Sequence, residues 1–242
     1  MRITTYNIHG SVGTDRTYEP GRIVEVIRGI EPDILGLQEV RLPGGSVPDI
    51  LERLQTAYPA YSIVFGMTLE DERGTYGNAL VSRYPIRAYR DLSLEIAGTH
   101  DTRTASIEDR RAIIADLIVP DSQPVTVIVT HLSLERWARR KQADRLITGI
   151  ESAVDVKTEP AVFLGDFNEW FFADRFLRRI DRHFATHIVR RTFPSRFPFL
   201  PLDRVWITGQ LRDTSNWVHK RWPARVASDH LPLCVDCAYP RD

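Results

Sequence analysis

Polar and ionisable side chains stand at the boundaries of several apolar, strand-like stretches of this sequence. The stretch LGDFN places Asp166 and Asn168 directly after the apolar run PAVF. One such pair would indicate only a turn, because Asp and Asn are common turn residues. The pattern recurs at other boundaries, which carry Asn7, His9, Glu39, His131, Asp203, Asp229 and His230. Binding residues gather where loops leave a rigid sheet, so the repetition predicts a functional site there.

The elements that must position these residues alternate along the chain. Runs rich in Val, Ile and aromatic residues predict β-strands, namely RITTYN, PDILGLQ, YSIVFG, NALVSR, RAIIADLIV, VTVIVT, PAVFLG, DRVWIT and LPLCVDC. Apolar residues at helical spacing predict helices over 23–30, 47–54, 134–150 and 172–180, the second with Ser46 as its N-cap. Strands with interspersed helices favour sheets covered by helices, in a single domain over residues 1–242.

Composition limits the function classes that the chain fits. It has 242 residues, with 32 Lys plus Arg and 32 Asp plus Glu. The chain therefore lacks the overall basic excess that indicates nucleic-acid binding. A local basic face would still suffice for a polyanion. The first residues show no signal-peptide pattern, and no apolar run has membrane-spanning length, which predicts a cytoplasmic protein without an integral membrane segment. A monomer is expected.

The two cysteines, Cys234 and Cys237, have the C-x-x-C spacing of redox sites. They lie in the strand-like stretch LCVDCA, which would direct them to opposite faces, and no helix start follows. The spacing therefore indicates structural thiols rather than a redox pair.

Several segments together resemble the endonuclease/exonuclease/phosphatase superfamily of metal-dependent phosphoesterases: TYNIHG, PDILGLQEV, YGNALVSRYPI, THL, LGDFN, LDRVWI and SDHLP. Their order and spacing carry the resemblance over nearly the whole chain. It implies an α/β fold of two packed mixed β-sheets flanked by helices, a four-layer α/β sandwich with the active site at one edge of the paired sheets. It also implies hydrolysis of phosphoesters with Mg²⁺ or Mn²⁺.

The residue types suit that chemistry. Water attack on a phosphodiester needs a positioned nucleophile and neutralisation of charge on the phosphoryl oxygens. Mg²⁺ prefers oxygen ligands and few protein carboxylates. Glu39 is the expected ligand, with Asn7 beside it and Asp229 joining it or holding a second metal.

The resemblance assigns catalytic roles to the remaining boundary residues. His230 resembles the histidine that activates water or contacts the phosphate, and Asp203 would fix its tautomer. Asp166 resembles the carboxylate that orients or deprotonates the attacking water. Asn168 would donate a hydrogen bond to a phosphoryl oxygen. The sequence leaves open whether Asp166 or His230 is the general base.

Four further residues are weaker expectations near the phosphate. His131 and Asn78 match superfamily positions there, and His9 follows Asn7 at the same strand end. Because a strand turns only one of Arg110 and Arg111 inward, Arg111 is the choice for a phosphate contact.

The resemblance leaves more than one class of substrate open. His9 stands where the abasic-site endonuclease branch carries Asp, which disfavours DNA repair. A phosphodiesterase for a small or lipid-derived substrate is the leading hypothesis. A nuclease is the alternative, because Arg136, Arg139, Arg140, Lys141 and Arg145 could form a basic helix face. A noncatalytic binding module would lack site residues, and none of the expected set is missing.

Overall fold

The computed structural model describes residues 1–43, 48–72, 74–96, 110–170 and 175–240. Two six-stranded mixed sheets form within these residues. Numbered in chain order, the first sheet contains β1 (Arg2–Asn7), β2 (Ile34–Leu42), β3 (Ser62–Asp71), β4 (Gly74–Ser82), β11 (Arg212–Val218) and β12 (Leu233–Ala238), in the order β11-β12-β1-β2-β4-β3. The second contains β5 (Ile86–Ser93), β6 (Arg111–Leu117), β7 (Val125–His131), β8 (Ala161–Asp166), β9 (Thr186–Val189) and β10 (Asp203–Ile207), in the order β5-β6-β7-β8-β10-β9.

Helices cover the outer faces of both sheets. They are α1 (Pro20–Ile30), α2 (Ile50–Ala57), α3 (Arg136–Glu151), α4 (Arg175–Asp181) and the single turn α5 (Ala224–Ala227). A short 3₁₀ turn spans His9–Ser11. One apolar core lies between the sheets, a second packs α1 and α2 on the first sheet, and a third packs α3 and α4 on the second. The predicted four-layer α/β sandwich is confirmed.

Strand alternation decides which side chains face the inter-sheet core. On β8, Val162 and Leu164 belong to that core, whereas Phe163 packs outward against the helices. On β10, Val205 faces inward and Trp206 outward. Side chains two residues apart share a face, so the inward row of each strand continues to the end of the sheet.

The element boundaries differ from the sequence prediction in two kinds of place. Helix α2 begins at Ile50, and its N-cap is Asp49, which forms a capping box with Glu52. The predicted N-cap Ser46 lies outside the described residues. Strands β5, β9 and β11 were not predicted: they are short or largely exposed and lack an apolar row that would mark them.

Candidate active site at one edge of the paired sheets

The inward rows of four strands change from apolar to polar at the same edge of the sandwich. Asn7 ends β1, His131 ends β7, Asp166 ends β8 and Asp203 begins the antiparallel strand β10. Asp203 lies directly opposite Asp166 in the β8–β10 register, and His131 opposite Asp166 in the β7–β8 register. All four side chains are buried. The predicted boundary residues are therefore brought together by strand pairing.

Glu39 reaches this edge through a β-bulge. Leu35 and Leu37 pack outward, and regular alternation would place Glu39 outward with them. The β2–β4 register shifts between Leu37 and Val40, and Glu39 takes a left-handed φ of 54°. Val40 consequently packs outward, while the Glu39 carboxylate turns to the edge of the sheets. A bulge of this kind re-aims one side chain without moving the strand.

The LGDFN stretch has its own backbone requirements. A Cβ on Gly165 would lie 2.0 Å from the Thr130 carbonyl oxygen, so β7 and β8 can pair here only with glycine at that position. Asn168 takes a left-handed φ of 49°. Such a conformation is costly for a residue with a side chain, and it persists because the surrounding contacts hold it.

Asp166 is fixed by neighbours on both sides of the site. Its Oδ1 accepts the backbone N–H of Asn168 at 2.9 Å, and its Oδ2 accepts Nδ2 of Asn7 at 3.0 Å. The same Asn7 amide donates to Glu39 Oε1 at 2.9 Å, while Asn7 Oδ1 accepts the backbone N–H of His9. Asn7 therefore bridges carboxylates from the two sheets through its nitrogen, and its oxygen is already engaged.

His230 is held by the carboxylate predicted to orient it. Its Nδ1 lies 2.8 Å from Asp203 Oδ2, which also accepts the Thr192 hydroxyl. The other ring nitrogen, Nε2, lies 3.6 Å from Asp166 Oδ2. Burial alone would lower the pKa of His230, but Asp203 and Asp166 outweigh burial and raise that pKa well above the usual value. At Asp166 burial acts in the opposite direction, and it is the main cause that raises the pKa of that carboxyl group.

His131 has the opposite electrostatic setting. Arg110 Nη1 lies 2.7 Å from His131 Nδ1, and burial together with that guanidinium lowers the pKa of His131 well below its usual value. Arginine can only donate, so Nδ1 accepts from Arg110. Nε2 lies 3.7 Å from Asp166 Oδ2 and 3.0 Å from the Asn168 amide Nδ2, which donates to the Leu132 carbonyl at 2.9 Å. A neutral His131 thus stands across Asp166 from a protonated His230.

These groups open into a pocket of about 580 Å³. Its polar lining includes His9, Glu39, Arg41, Tyr76 and Arg110, together with Asp166, Asn168, Asp229 and His230. Its apolar lining includes Leu134, Trp170, Phe193 and Leu202. The volume exceeds that of one phosphate group, and the apolar residues offer a place for the rest of a substrate.

Two of the weaker expectations lie elsewhere. Asn78 is buried and donates to the backbone carbonyl of Arg111, which ties the two sheets together away from the pocket lining. Arg111 pairs with Asp91 on the adjacent strand β5 at 3.0 Å. Arg110 lines the pocket instead, because it precedes β6 and is not bound by the alternation that favoured Arg111. His9 does line the pocket, 3.9 Å from Asp229 Oδ1.

Sequence reasoning missed several side chains with contacts in the site, among them Arg110, Tyr76 and Thr192. Tyr76 donates to Glu39 Oε2 at 3.2 Å, and Thr192 holds Asp203. Tyr76 stands two residues before Asn78 in YGN, so the quoted motif contained it. Nothing in the local sequence distinguishes Thr192, because its role depends on the return of a loop towards Asp203.

The donor set fits a divalent cation. Glu39, Asp166 and Asp229 present carboxylate oxygens to one pocket, and hard oxygen ligands are those that Mg²⁺ and Mn²⁺ prefer. Among the described residues, the tightest group of metal-ligand types is Asp166, Asp203 and His230, whose ligand atoms lie within 4.8 Å of one another. Asp203 and His230 already bond each other there. The sequence-predicted set of Glu39, Asn7 and Asp229 remains a prediction, in which Asn7 Oδ1 would bind the metal through the lone pair that the His9 N–H does not use.

A second group of buried charges lies behind the pocket; we call Arg139, Glu169 and Arg204 the support cluster. Arg139 Nη2 pairs with Glu169 Oε2 at 3.2 Å, and Arg204 Nη2 donates to the Glu169 carbonyl at 3.1 Å. Arg139 also donates to the carbonyls of Ser133 and Leu134. The proposed basic face of α3 therefore loses Arg139, which points into the protein and holds the loops that carry the pocket.

Comparison with known proteins matches this arrangement to one family. The model of the Endonuclease/Exonuclease/phosphatase family matches residues 4–230. The uncharacterized protein YbhP of Escherichia coli (strain K12) is 27% identical over 254 residues, which cover 98% of this chain and 95% of YbhP. A Bacteroides vulgatus endonuclease/exonuclease/phosphatase structure has a TM-score of 0.78 at 22% identity, covering 99% of this chain and 98% of that one. The human Nocturnin catalytic domain with bound sulfate has a TM-score of 0.77 at 21% identity, covering 99% and 93%.

Proposed function

Because the chain belongs to the endonuclease/exonuclease/phosphatase family, we propose that it is a metal-dependent hydrolase of phosphodiester bonds in a small or lipid-derived substrate. One observation carries the proposal. Asp166 lies between the Asp203–His230 pair and the Arg110–His131 pair, in a pocket that both sheets build. A carboxylate with cationic and N–H groups on both sides suits attack of water on a phosphoryl group.

Asp166 is the proposed proton acceptor. Each of its oxygens receives one hydrogen bond, from Asn168 N–H and from Asn7, which fixes the carboxylate plane. A carboxylate oxygen has two lone-pair directions, so each retains one for a water in the pocket. His230 presents Nε2 beside it while Asp203 holds Nδ1, so His230 donates to a phosphoryl or leaving oxygen.

The other side of the pocket suits the negative charge of a phosphoryl group. Arg110 supplies a permanent cation that lines the pocket, and the His131 ring and the Asn168 amide lie beside it. Preorganised donors of this kind are worth most in a site with little water.

The proposed metal ligands are Glu39 and Asp229, with Asn7 holding Glu39 in place. A divalent cation bound there would neutralise charge on the phosphoryl oxygens and lower the pKa of a bound water. The residues of the chain do the rest: Tyr76 and Asn7 orient Glu39, and Asn168 and Asn7 orient Asp166.

The proposal is tested with a substrate panel of bis(4-nitrophenyl) phosphate, phospholipids and plasmid DNA. We expect hydrolysis of the small diester with Mg²⁺ or Mn²⁺, none in EDTA, and recovery when the metal is returned. Full hydrolysis by thoroughly chelated protein would contradict the metal role. Plasmid nicking that exceeds diester hydrolysis at equal enzyme, and that disappears as salt rises, would favour the nuclease alternative.

A further inference from the structure

Two loops beside the pocket contain aromatic and basic residues but no acidic residue; we call them the docking loops. The first, residues 190–202, reads RRTFPSRFPFLPL, and the second, residues 219–228, reads HKRWPARVAS. The whole chain has equal numbers of acidic and basic residues, 32 of each. The positive charge of these loops is therefore a local feature rather than a consequence of composition.

The docking loops contact each other, and the first of them adjoins the active site, whereas Lys220 and Arg221 of the second line a separate depression with Arg2 and Ile30. Arg225 of the second loop donates to the carbonyls of Ser195 and Arg196 in the first, and Ser195 Oγ donates back to the Arg225 carbonyl at 3.2 Å. The Ser195 backbone N–H donates to the Asp229 carbonyl at 2.7 Å. The Phe193 ring lies 4.8 Å from the His230 ring, and Phe193 lines the pocket.

Large apolar side chains are exposed on these loops and in the lining of the pocket. Phe197 is 81% exposed, Trp222 75% and Phe199 58%. Leu134 and Trp170, which line the pocket, are 70% and 57% exposed. Single exposed apolar residues need no explanation, but a group of them beside a site marks an interaction surface.

The basic residues on the same loops indicate the partner. Arg191 and Arg196 of the first docking loop are exposed, and neither pairs with a carboxylate within the described parts of the chain. Aromatic tips surrounded by cations match the headgroup region of an anionic bilayer, where rings enter the interface and cations meet lipid phosphates. Single-stranded nucleic acid instead needs a groove that follows its backbone. Here the aromatic residues lie on projecting loops.

We propose that the docking loops attach the protein reversibly to the surface of an anionic lipid bilayer, beside the mouth of the pocket. No helix among the described residues is long and apolar enough to cross a membrane, so attachment would be peripheral. If the function proposed above is correct, a lipid of that bilayer presents the substrate phosphoester to the pocket. The attachment to the bilayer does not depend on the proposed function.

Vesicle flotation in EDTA tests attachment without catalysis. The wild-type protein is compared on vesicles of phosphatidylcholine alone and of phosphatidylcholine mixed with phosphatidylglycerol. We expect binding to the anionic vesicles only, weakened by salt. Phe197→Ala and Trp222→Ala should each weaken it by about tenfold, the worth of one buried aromatic side chain. Tyr89→Ala is the matched control, since Tyr89 is 58% exposed on β5, outside the docking loops, and should bind as the wild type does.

The outcomes separate attachment from activity. Asp166→Asn should float like the wild type, and vesicle binding by a protein that hydrolyses no phosphoester would remove the proposed function while supporting attachment. Failure of the wild type to bind anionic vesicles would overturn the proposal. Equal loss in Tyr89→Ala would overturn it too. So would tighter binding of single-stranded DNA than of vesicles, with the DNA binding lost in Phe197→Ala.

Discussion

Two clusters of buried charge lie at the same end of the second sheet, and adjacent residues supply both of them. The pocket cluster consists of Asp166, Asp203 and His230, and the support cluster of Arg139, Glu169 and Arg204. Asp203 faces inward with Val205, whereas Arg204 faces outward with Trp206. Asn168 lines the pocket and the next residue, Glu169, lies behind it.

The difference between the clusters lies in whether the cavity reaches their charged groups rather than in burial. In the support cluster, the Glu169 carboxylate pairs with Arg139 and its carbonyl accepts Arg204, and neither arginine lines the pocket. In the pocket cluster, Asp166 and His230 line the cavity with further hydrogen-bonding capacity. A buried charge therefore indicates a site only when the cavity reaches it. Substitutions in the pocket cluster should therefore lower activity, whereas substitutions in the support cluster should lower stability.

The largest effect is expected in the pocket cluster. Asp166→Asn and His230→Ala should each lower kcat by a hundredfold or more, on the order of 3 kcal/mol, because a positioned base or donor is lost. Steady-state hydrolysis of bis(4-nitrophenyl) phosphate measures the loss. Asp116→Asn is the matched control, a carboxylate on β6 that bonds Thr126 at the opposite end of the sheet. A variant with near wild-type kcat would remove its residue from the catalytic set.

Substitution in the support cluster should lower the free energy of unfolding. Glu169→Gln leaves Arg139 and Arg204 buried with less compensating charge, so the free energy of unfolding should fall by about 3 kcal/mol. Urea denaturation followed by circular dichroism measures it. Asp144→Asn removes the exposed carboxylate that pairs with Arg179 and should change stability by about 0.5 kcal/mol or less. Equal effects of the two substitutions would mean that Glu169 is no more structural than a surface carboxylate.

Glu39 should behave differently from both clusters. Glu39→Ala is expected to lower activity by about tenfold at limiting Mg²⁺ and to recover part of it at high Mg²⁺, because a lost ligand weakens metal binding rather than the chemical step. A titration of activity against Mg²⁺ in wild type and variant separates the apparent metal affinity from the plateau. A plateau lowered at every concentration, with unchanged affinity, would move Glu39 from the metal site to the catalytic set.

The smallest effect concerns His187, which lies beside the support cluster. Its ring stacks on Trp206, and its pKa is lowered to about 4 by burial and by Arg204, against the opposing effect of Asp181. Below about pH 6.5 His187 is protonated in the unfolded chain, whereas in the folded chain it stays neutral down to about pH 4. The stability that neutral His187 contributes to the fold is therefore fully present above pH 6.5 and is lost as the pH falls towards 4. The unfolding free energy of His187→Gln should therefore fall less steeply over this window, by about 1 kcal/mol per pH unit or less. Parallel slopes for the two proteins would exclude this role.

The burial of each strand explains which parts of the fold and of the site could be predicted from the sequence. Apolar runs such as VTVIVT predicted the inner strands, and polar residues at their ends predicted Asp166, Asp203 and His131 at one edge. The exposed edge strands β5 and β11 bury too little to leave an apolar row, so they were not predicted. Arg110 could not be distinguished from Arg111, because the choice depends on the residue at which β6 begins. The bulge at Glu39 and the return of Thr192 towards Asp203 depend on contacts between distant segments, which no local pattern records.

The strand order of the first sheet has a consequence for synthesis of the chain on the ribosome. All six strands of the second sheet come from one continuous stretch of sequence, whereas β1 and β2 must wait for β12 to complete their sheet. His230 lies three residues before Leu233, the first residue of β12, so Asp203 and Asp166 are made before the histidine that faces them. A nascent chain therefore carries these carboxylates without that histidine until the segment before β12 is made. A product that ends before β12 would lack the pairing partner of β1, which couples closure of the first sheet to the synthesis of that strand.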